Sequence, residues 1–351
     1  MEMKQKPLRI VNSVAPIRIC DNGGWTDTWF ARHGKVFNIA VYPYIEVQMS
    51  VREHSGGRDR ITINAENYGQ RYTIAEPRGL YDKHPLLEAA MDYMKIPANV
   101  AIEVSIYSEA PSGCSTGTSA AVSVALIGAL DCLTPGRMTA HEIAAAAQRI
   151  ETELLKQQCG IQDQIASAYG GINYIEMYDY PHASVSPIRI PDSVWWELES
   201  RLSLIYLGQA HSSSEVHQMV IRELEDAGPE AGKLRPLRET PAKSRDALYA
   251  GDFEALGRAM IENTAAQEAL HPALLGAHHR RVIEIARGHG AIGWKVNGAG
   301  GNGGSVTILS GSDRTAKRAM IREIETDNPS YKNIPIHLSR FGLRIWQTAG
   351  E

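Results

Sequence analysis

Along the chain, Ile45, Val47, Met49 and Val51 alternate with polar neighbours, and so do Ile102, Val104 and Ile106. A period of two predicts half-buried strands, with a shorter one between them at Ile61 and Ile63. The first 110 residues therefore predict a strand-rich meander, not a run of βαβ units. From Thr118 the period changes: residues 119–133 are apolar nearly all round and predict a buried helix. Thr139 is the expected N-cap of a second helix over 141–156, with an apolar stripe of Ile143, Ala147, Ile150 and Leu154 and with Glu151 beside it. A turn at Gly170-Gly171 then separates it from strands at 172–177 and 185–190.

Pro191-Asp192 reads as a boundary, which divides the chain into domains 1–192 and 193–351. Beyond it come a strand at 202–207 and helices at about 214–225, 241–250, 253–270 and 277–289. Thr240 is the expected N-cap of the second of these helices, with Pro241 at its first position. Strands at 293–296, 305–309, 334–338 and 343–347 close the chain. Strands and helices mix without strict alternation, so the expected class is α+β in two domains, not a doubly wound sheet.

Composition adds limits. The 351 residues are 43% hydrophobic and 22% charged, an ordinary globular balance. The net charge of -4 argues against nucleic acid or an anionic membrane as partner. Cys20, Cys114, Cys132 and Cys159 form no CxxC pair and read as reduced thiols of a cytoplasmic protein. No apolar run approaches the ~20 residues of a membrane span. A homo-oligomer stays open.

Candidate chemistry begins at "PSGCSTGTSAAVSVAL", Pro111 to Leu126, where small residues lead straight into an apolar helix. A helix N-terminus leaves amide N–H groups unpaired and carries partial positive charge, and glycines let several of them converge on one anion. That makes a phosphate site. A plain loop with Thr118 or Ser119 as N-cap is the alternative. A third reading takes Gly113-Cys114-Ser115-Thr116-Gly117 as a GxSxG nucleophile elbow, with Asp163 and His211 completing a serine esterase. Pro111 and the residues before it stand where that elbow needs a strand.

A second cluster, "NGAGGNGGSVTIL" from Asn297 to Leu309, matches GxGxxG at Gly298, Gly300 and Gly303 but opens a strand where a dinucleotide site opens a helix. It reads instead as a backbone loop that closely approaches a phosphate or the first loop. Asp163 lies between Gln162 and Gln164, which could orient its carboxylate; it could also cap the segment after it. Asp27 follows Gly23, Gly24 and Trp25, a turn suited to a sugar, although a plain hairpin would look the same. The 12 histidines contain no HxxxH or HExxH, so no transition-metal site is expected, whereas Mg²⁺ needs only one or two carboxylates besides phosphate oxygens.

Three segments together resemble the motifs of the GHMP kinase superfamily. "APIRICDNGGWTDT", Pro111 to Ala121, and Lys295 to Gly304 stand in the family's order and spacing, and the likeness spans nearly the whole chain. "GIQDQIASAYGGINYIE" and "FGLRIW" are similar to D-glycero-D-manno-heptose 7-phosphate kinases, and "NGGWTDT" to L-fucokinases. The resemblance implies an N-terminal mixed α/β domain, a C-terminal ferredoxin-like domain and an active site between them. It implies ATP, Mg²⁺ and transfer of the γ-phosphate to a hydroxyl, the anomeric one expected, of a small-molecule sugar or sugar phosphate. The implied catalytic residues are Asp163 and Arg18. Pro111, Gly113, Cys114, Ser115, Thr116, Gly117, Thr118, Ser119 and Ala120 would hold the nucleotide. Ser119 and Glu151 would hold the metal. Gly24, Trp25, Asp27, Gly171, Gly298, Gly300 and Gly301 would face the substrate. The sequence departs from the family at Ser115 and Thr116, where Gly and Leu are usual, at Thr118 and Asn302, and at His211, where heptose kinases tend to have arginine.

Overall fold

A computed structural model of the chain describes residues 8–349 apart from 55, 57–59, 78 and 210–212. The chain opens with β1 (Arg9–Asn22), β2 (Gly34–Glu53), β3 (Ile61–Ala65), β4 (Gln70–Ile74), α1 (Pro85–Met94) and β5 (Val100–Ser108). It continues through α2 (Thr118–Asp131), α3 (Ala140–Arg149), α4 (Gln162–Tyr169), β6 (Ile172–Asp179) and β7 (His182–Pro187). Next come α5 (Asp192–Arg201), β8 (Leu202–Tyr206), α6 (Ser213–Ala227), α7 (Leu234–Ala250), α8 (Phe253–Leu270) and α9 (Ala277–Gly288). It ends with β9 (Ala291–Val296), β10 (Ser305–Ser310), α10 (Arg314–Asp327), β11 (Lys332–Ile334), β12 (His337–Leu338) and β13 (Arg344–Ala349).

The first sheet runs β13-β1-β2-β5-β3-β4, with β6 and β12 also paired to β2 and β7 to β6. It is not a simple meander, because β5 inserts between β2 and β3 and pairs in parallel with β3. β2 is long enough to divide one edge between two partners: Ile45–Glu53 pairs with β5 and Gly34–Ile39 with β6. β1 is buried on both faces from Ala15 onward, so it shows no alternation. The apolar α2 packs on β1 and β2 and is the centre of the main core, with Val124, Leu126 and Ile127 fully buried.

The second sheet runs β11-β8-β10-β9 with every pair antiparallel. Numbered within this unit the order is 4-1-3-2, the ferredoxin-like arrangement. α7 packs on β2 and α8 on β9, so this helical pair joins the two sheets. Pro241 lies inside α7, not at its start; the Thr240 hydroxyl stands 3.1 Å from the Leu237 carbonyl that a residue-241 amide would otherwise have reached. A division at 192/193 does not follow the strand pairing at the chain's end. β12 and β13 return to the first sheet, with Arg9 opposite Ala349 and Val14 opposite Arg344. Among the described residues, no helix is long and apolar enough to cross a membrane.

Candidate active site

β5 delivers the chain to the small-residue loop. Gly113, Ser115 and Gly117 take left-handed φ values of 71°, 59° and 71°, and this curls the backbone ahead of α2. Gly117 is the N-cap and no side chain caps the helix, so neither Thr118 nor Ser119 plays that part. The first helical bond runs from the Ala121 amide to the Gly117 carbonyl at 3.0 Å, leaving the preceding amides as unpaired donors of the kind that bind anions.

Arg18, on β1, is almost fully buried beside this loop. Its Nε donates to Asp163 Oδ1 at 2.8 Å and its Nη2 to Oδ2 at 3.2 Å. Nη1 donates to the Ser115 carbonyl. Burial opposes the guanidinium charge, but Asp163 and Asp21 more than offset it and hold the pKa above the ordinary arginine value. Asp163 sits in the first turn of α4 without capping it. A Cβ on Gly117 would lie 3.2–3.3 Å from the Asp163 side chain, so the carboxylate sits beside the loop with no room for a side chain between them.

The α4 N-terminus is served by Asp27, whose Oδ2 accepts from the Ile161 and Gln162 amides at 3.0 and 3.1 Å. Burial raises the Asp27 carboxyl to about 6. Glu151 lies where the 141–156 helix departs from expectation: α3 ends at Arg149 and a wider π turn, Ile150–Leu154, follows. Such turns are frequent at functional sites. Gln164 Nε2 donates to Glu151 at 2.8 Å. Burial pushes the Glu151 carboxyl up to about 7, the bond from Gln164 works against that, and Asp163 adds to the rise.

One cleft of about 600 Å³ collects these groups. Its walls include Arg18, Gly24, Trp25, Asp27, Glu151, Asp163 and Gly298. All of Gly113, Cys114, Ser115, Thr116, Gly117, Thr118, Ser119 and Ala120 line it too. Four expected residues do not. Pro111 stands just ahead of the lining and accepts from the Cys114 amide. Gly171 donates to the Ser339 carbonyl and accepts from Ala40, inside the strand pairing. Gly300 is pressed against the Leu274 carbonyl, and Gly301 donates to that carbonyl at 3.0 Å. Close packing requires glycine at 300, and left-handed φ values of 69° and 105° favour it at 171 and 301.

The third motif does approach the first loop: a Cβ on Gly298 would lie 3.1 Å from the Ser115 carbonyl and 3.5 Å from Arg18 Nη2. Asp21 anchors this approach. It accepts from the Gly298 amide at 3.0 Å and pairs with the buried Lys295 at 3.1 Å. Burial lowers the Lys295 pKa, and Asp21 works against that. Asp21 and Lys295 were visible only as letters inside the motifs; neither carries a local signal of its role.

Among the described residues the esterase constellation does not assemble. Arg18 engages both Asp163 and the Ser115 carbonyl, and the Ser115 hydroxyl packs toward Gly304. His211 lies outside the described residues, and no described histidine lines the cleft. Ser119 and Glu151, a hydroxyl and a carboxylate in one cleft, offer the hard oxygens that suit Mg²⁺ with phosphate oxygens completing its shell. Among the described residues there is no cluster of three His, Cys, Asp or Glu able to hold a metal alone.

Comparison with known proteins bears on the fold and the family. Residues 85–171 match the GHMP kinases N terminal domain and residues 244–326 the GHMP kinases C terminal domain. A D-glycero-alpha-D-manno-heptose 7-phosphate kinase from Campylobacter jejuni is 24% identical over 97% of this chain and 100% of its own. A mevalonate kinase from Pyrococcus abyssi is 30% identical over 70% of this chain and 68% of its own. The crystal structure of a D-glycero-D-manno-heptose 1-phosphate kinase from Bacteriodes thetaiotaomicron superposes with a TM-score of 0.74 at 22% identity, covering 96% of this chain and 98% of that one. Both halves of one kinase fold are matched in order, and with a 30% identical relative covered over 68% of its length the chain belongs to the GHMP kinase family.

Proposed function

We propose that the protein is an ATP-dependent sugar kinase that transfers the γ-phosphate to a hydroxyl, the anomeric one, of a sugar or sugar phosphate. A heptose 7-phosphate is the first candidate because the relative of that name aligns end to end with this chain. L-Fucose and other hexoses are the alternatives.

The observation that carries the reading is the placement of the Asp163 carboxylate beside Gly117 of the phosphate loop, with Arg18 bonded to both acid and loop. Phosphoryl transfer demands alignment and neutralisation of charge more than covalent chemistry. Loop amides hold the nucleotide's phosphates. Asp163 orients the acceptor hydroxyl and takes its proton. Arg18, fixed against Asp163, stabilises charge on the moving group. Ser119 and Glu151 would hold Mg²⁺, which when bound draws charge from the phosphate oxygens. Gly24, Trp25, Asp27 and Gly298, which line the cleft, form the acceptor side.

The test is ADP release from Mg-ATP across free sugars and sugar phosphates, repeated with Asp163→Asn. The variant should lose ~10²–10⁴-fold in turnover, the scale of general acid–base catalysis, with ATP binding kept. Turnover near wild type would remove Asp163 from the chemistry.

A further inference from the structure

Three consecutive carbonyls of the phosphate loop are captured from outside it. The Ser305 hydroxyl donates to the Cys114 carbonyl at 2.6 Å. Arg18 Nη1 donates to the Ser115 carbonyl, and the Arg18 amide to the Thr116 carbonyl at 2.9 Å. In a trans peptide the N–H points opposite to the C=O of the same unit. Fixing these three carbonyls therefore turns the amides of Ser115, Thr116 and Gly117 the other way. None of the three finds a backbone acceptor among the described residues. All three residues line the cleft. Successive amides aimed together form an anion-binding concavity.

Ser305 is itself held. Its Oγ accepts from Asn297 Nδ2 at 3.0 Å, which commits its single hydroxyl proton to Cys114. Asn297 Oδ1 accepts from the Cys20 amide at 3.1 Å and from the Thr307 hydroxyl at 2.9 Å, which fixes which way the Asn297 amide faces. Asn297 and Ser305 are fully buried, where an unpaired polar group is costly. The relay runs from β1 through the third motif to the loop.

We propose that Ser305, oriented by Asn297, is a positioning residue that sets nucleotide affinity by holding the phosphate-loop amides toward the cleft. This rests on the kinase reading above. Among the described residues the Ser305 hydroxyl bonds to Asn297 and the Cys114 carbonyl and does not line the cleft, so its loss weakens ATP and leaves the sugar alone.

The experiment measures ATP affinity by calorimetry, and KM for ATP and for the accepted sugar, in wild type and Ser305→Ala. The expected result is a Kd for ATP about tenfold weaker, equivalent to about 1.4 kcal/mol, with KM for the sugar unchanged. Unchanged ATP affinity overturns the proposal. So does an equal loss for ATP and sugar, which marks general loosening of the cleft. Should Ser305→Ala fail to fold, Ser305→Cys, which keeps only a weak donor, carries the same comparison with the same two overturning results. Wild-type protein that binds no ATP would instead overturn the kinase reading itself, and this proposal with it.

Discussion

Gly117→Ala tests whether loop and acid work as one unit. Gly117 sits at φ 71°, ψ 25°, a left-handed conformation that costs a residue with a Cβ about 1–2 kcal/mol. The new Cβ would lie 3.2 Å from Asp163 Cγ and 3.3 Å from its Cβ and Oδ2. Asp163 cannot retreat freely, because Arg18 grips both its oxygens at 2.8 and 3.2 Å. The close approach of the new methyl would still force a shift of a few tenths of an ångström, against those bonds. A misplacement of 1 Å costs about 10²-fold in rate, so the shift alone is worth roughly threefold. Redirected amides at the helix start add to it, and a total loss of about tenfold in turnover is expected. The fold should survive, since the backbone cost is a small part of the ~5–15 kcal/mol that stabilises a domain.

Gly69→Ala supplies the control. Gly69 has φ 61°, and a methyl added there would meet nothing within 4 Å, so it bears the backbone cost without the crowding. Thermal midpoints and ADP release would be measured for both variants. Both midpoints should fall by a similar few degrees, and only Gly117→Ala should lose turnover. Equal turnover in the two variants would refute the close packing of loop and acid as a functional one.

Glu151 makes a pH prediction. Only its ionised form binds a cation, and burial holds its carboxyl up to about 7. The Mg²⁺ requirement should therefore drop about tenfold per unit as pH rises toward 7 and level off above it. The folded value lies above the ordinary 4.5, so stability from this group in metal-free protein is full below pH 4.5 and lost as pH climbs through about 7. Glu151→Gln should flatten both profiles; an unaltered Mg²⁺ profile would take Glu151 out of the metal site. Gly160→Ala would drive a methyl into the Asp27 carboxylate and break its bonds to the Ile161 and Gln162 amides. Loss of that cap costs about 0.5–2 kcal/mol and displaces Asp163, so turnover should fall about 10²-fold, read by ADP release alongside circular dichroism. Wild-type activity would show that Asp27 does not hold the catalytic helix.

Local pattern alone determines much of this protein. The helix expected over 253–270 is α8, Phe253–Leu270, and the Thr139 cap forms the full capping box with Glu142. The all-apolar stretch after Thr118 becomes the buried α2, and alternation at Ile45–Val51 becomes one half of β2. Such signals survive because they depend on neighbours two to four residues apart. The glycine loop and Arg18 lie in the motifs whose order and spacing resemble the family, Glu151 and Asp163 were expected from that resemblance, and all of them line one cleft.

Tertiary structure decided the rest, because the partners are far apart in sequence. From Ala15 onward β1 is buried on both faces and so carries no period there. The return of β13 to β1 joins residues more than 300 apart, which no local window contains. Asp27 is a helix support because α4 begins against it, and Gly300 and Gly301 face a neighbouring turn where the cleft was expected. Asn297 and Ser305 act on Cys114 only once the second sheet lies against the first loop. Residue type and spacing fix which chemistry is available; packing between distant segments fixes which atoms meet.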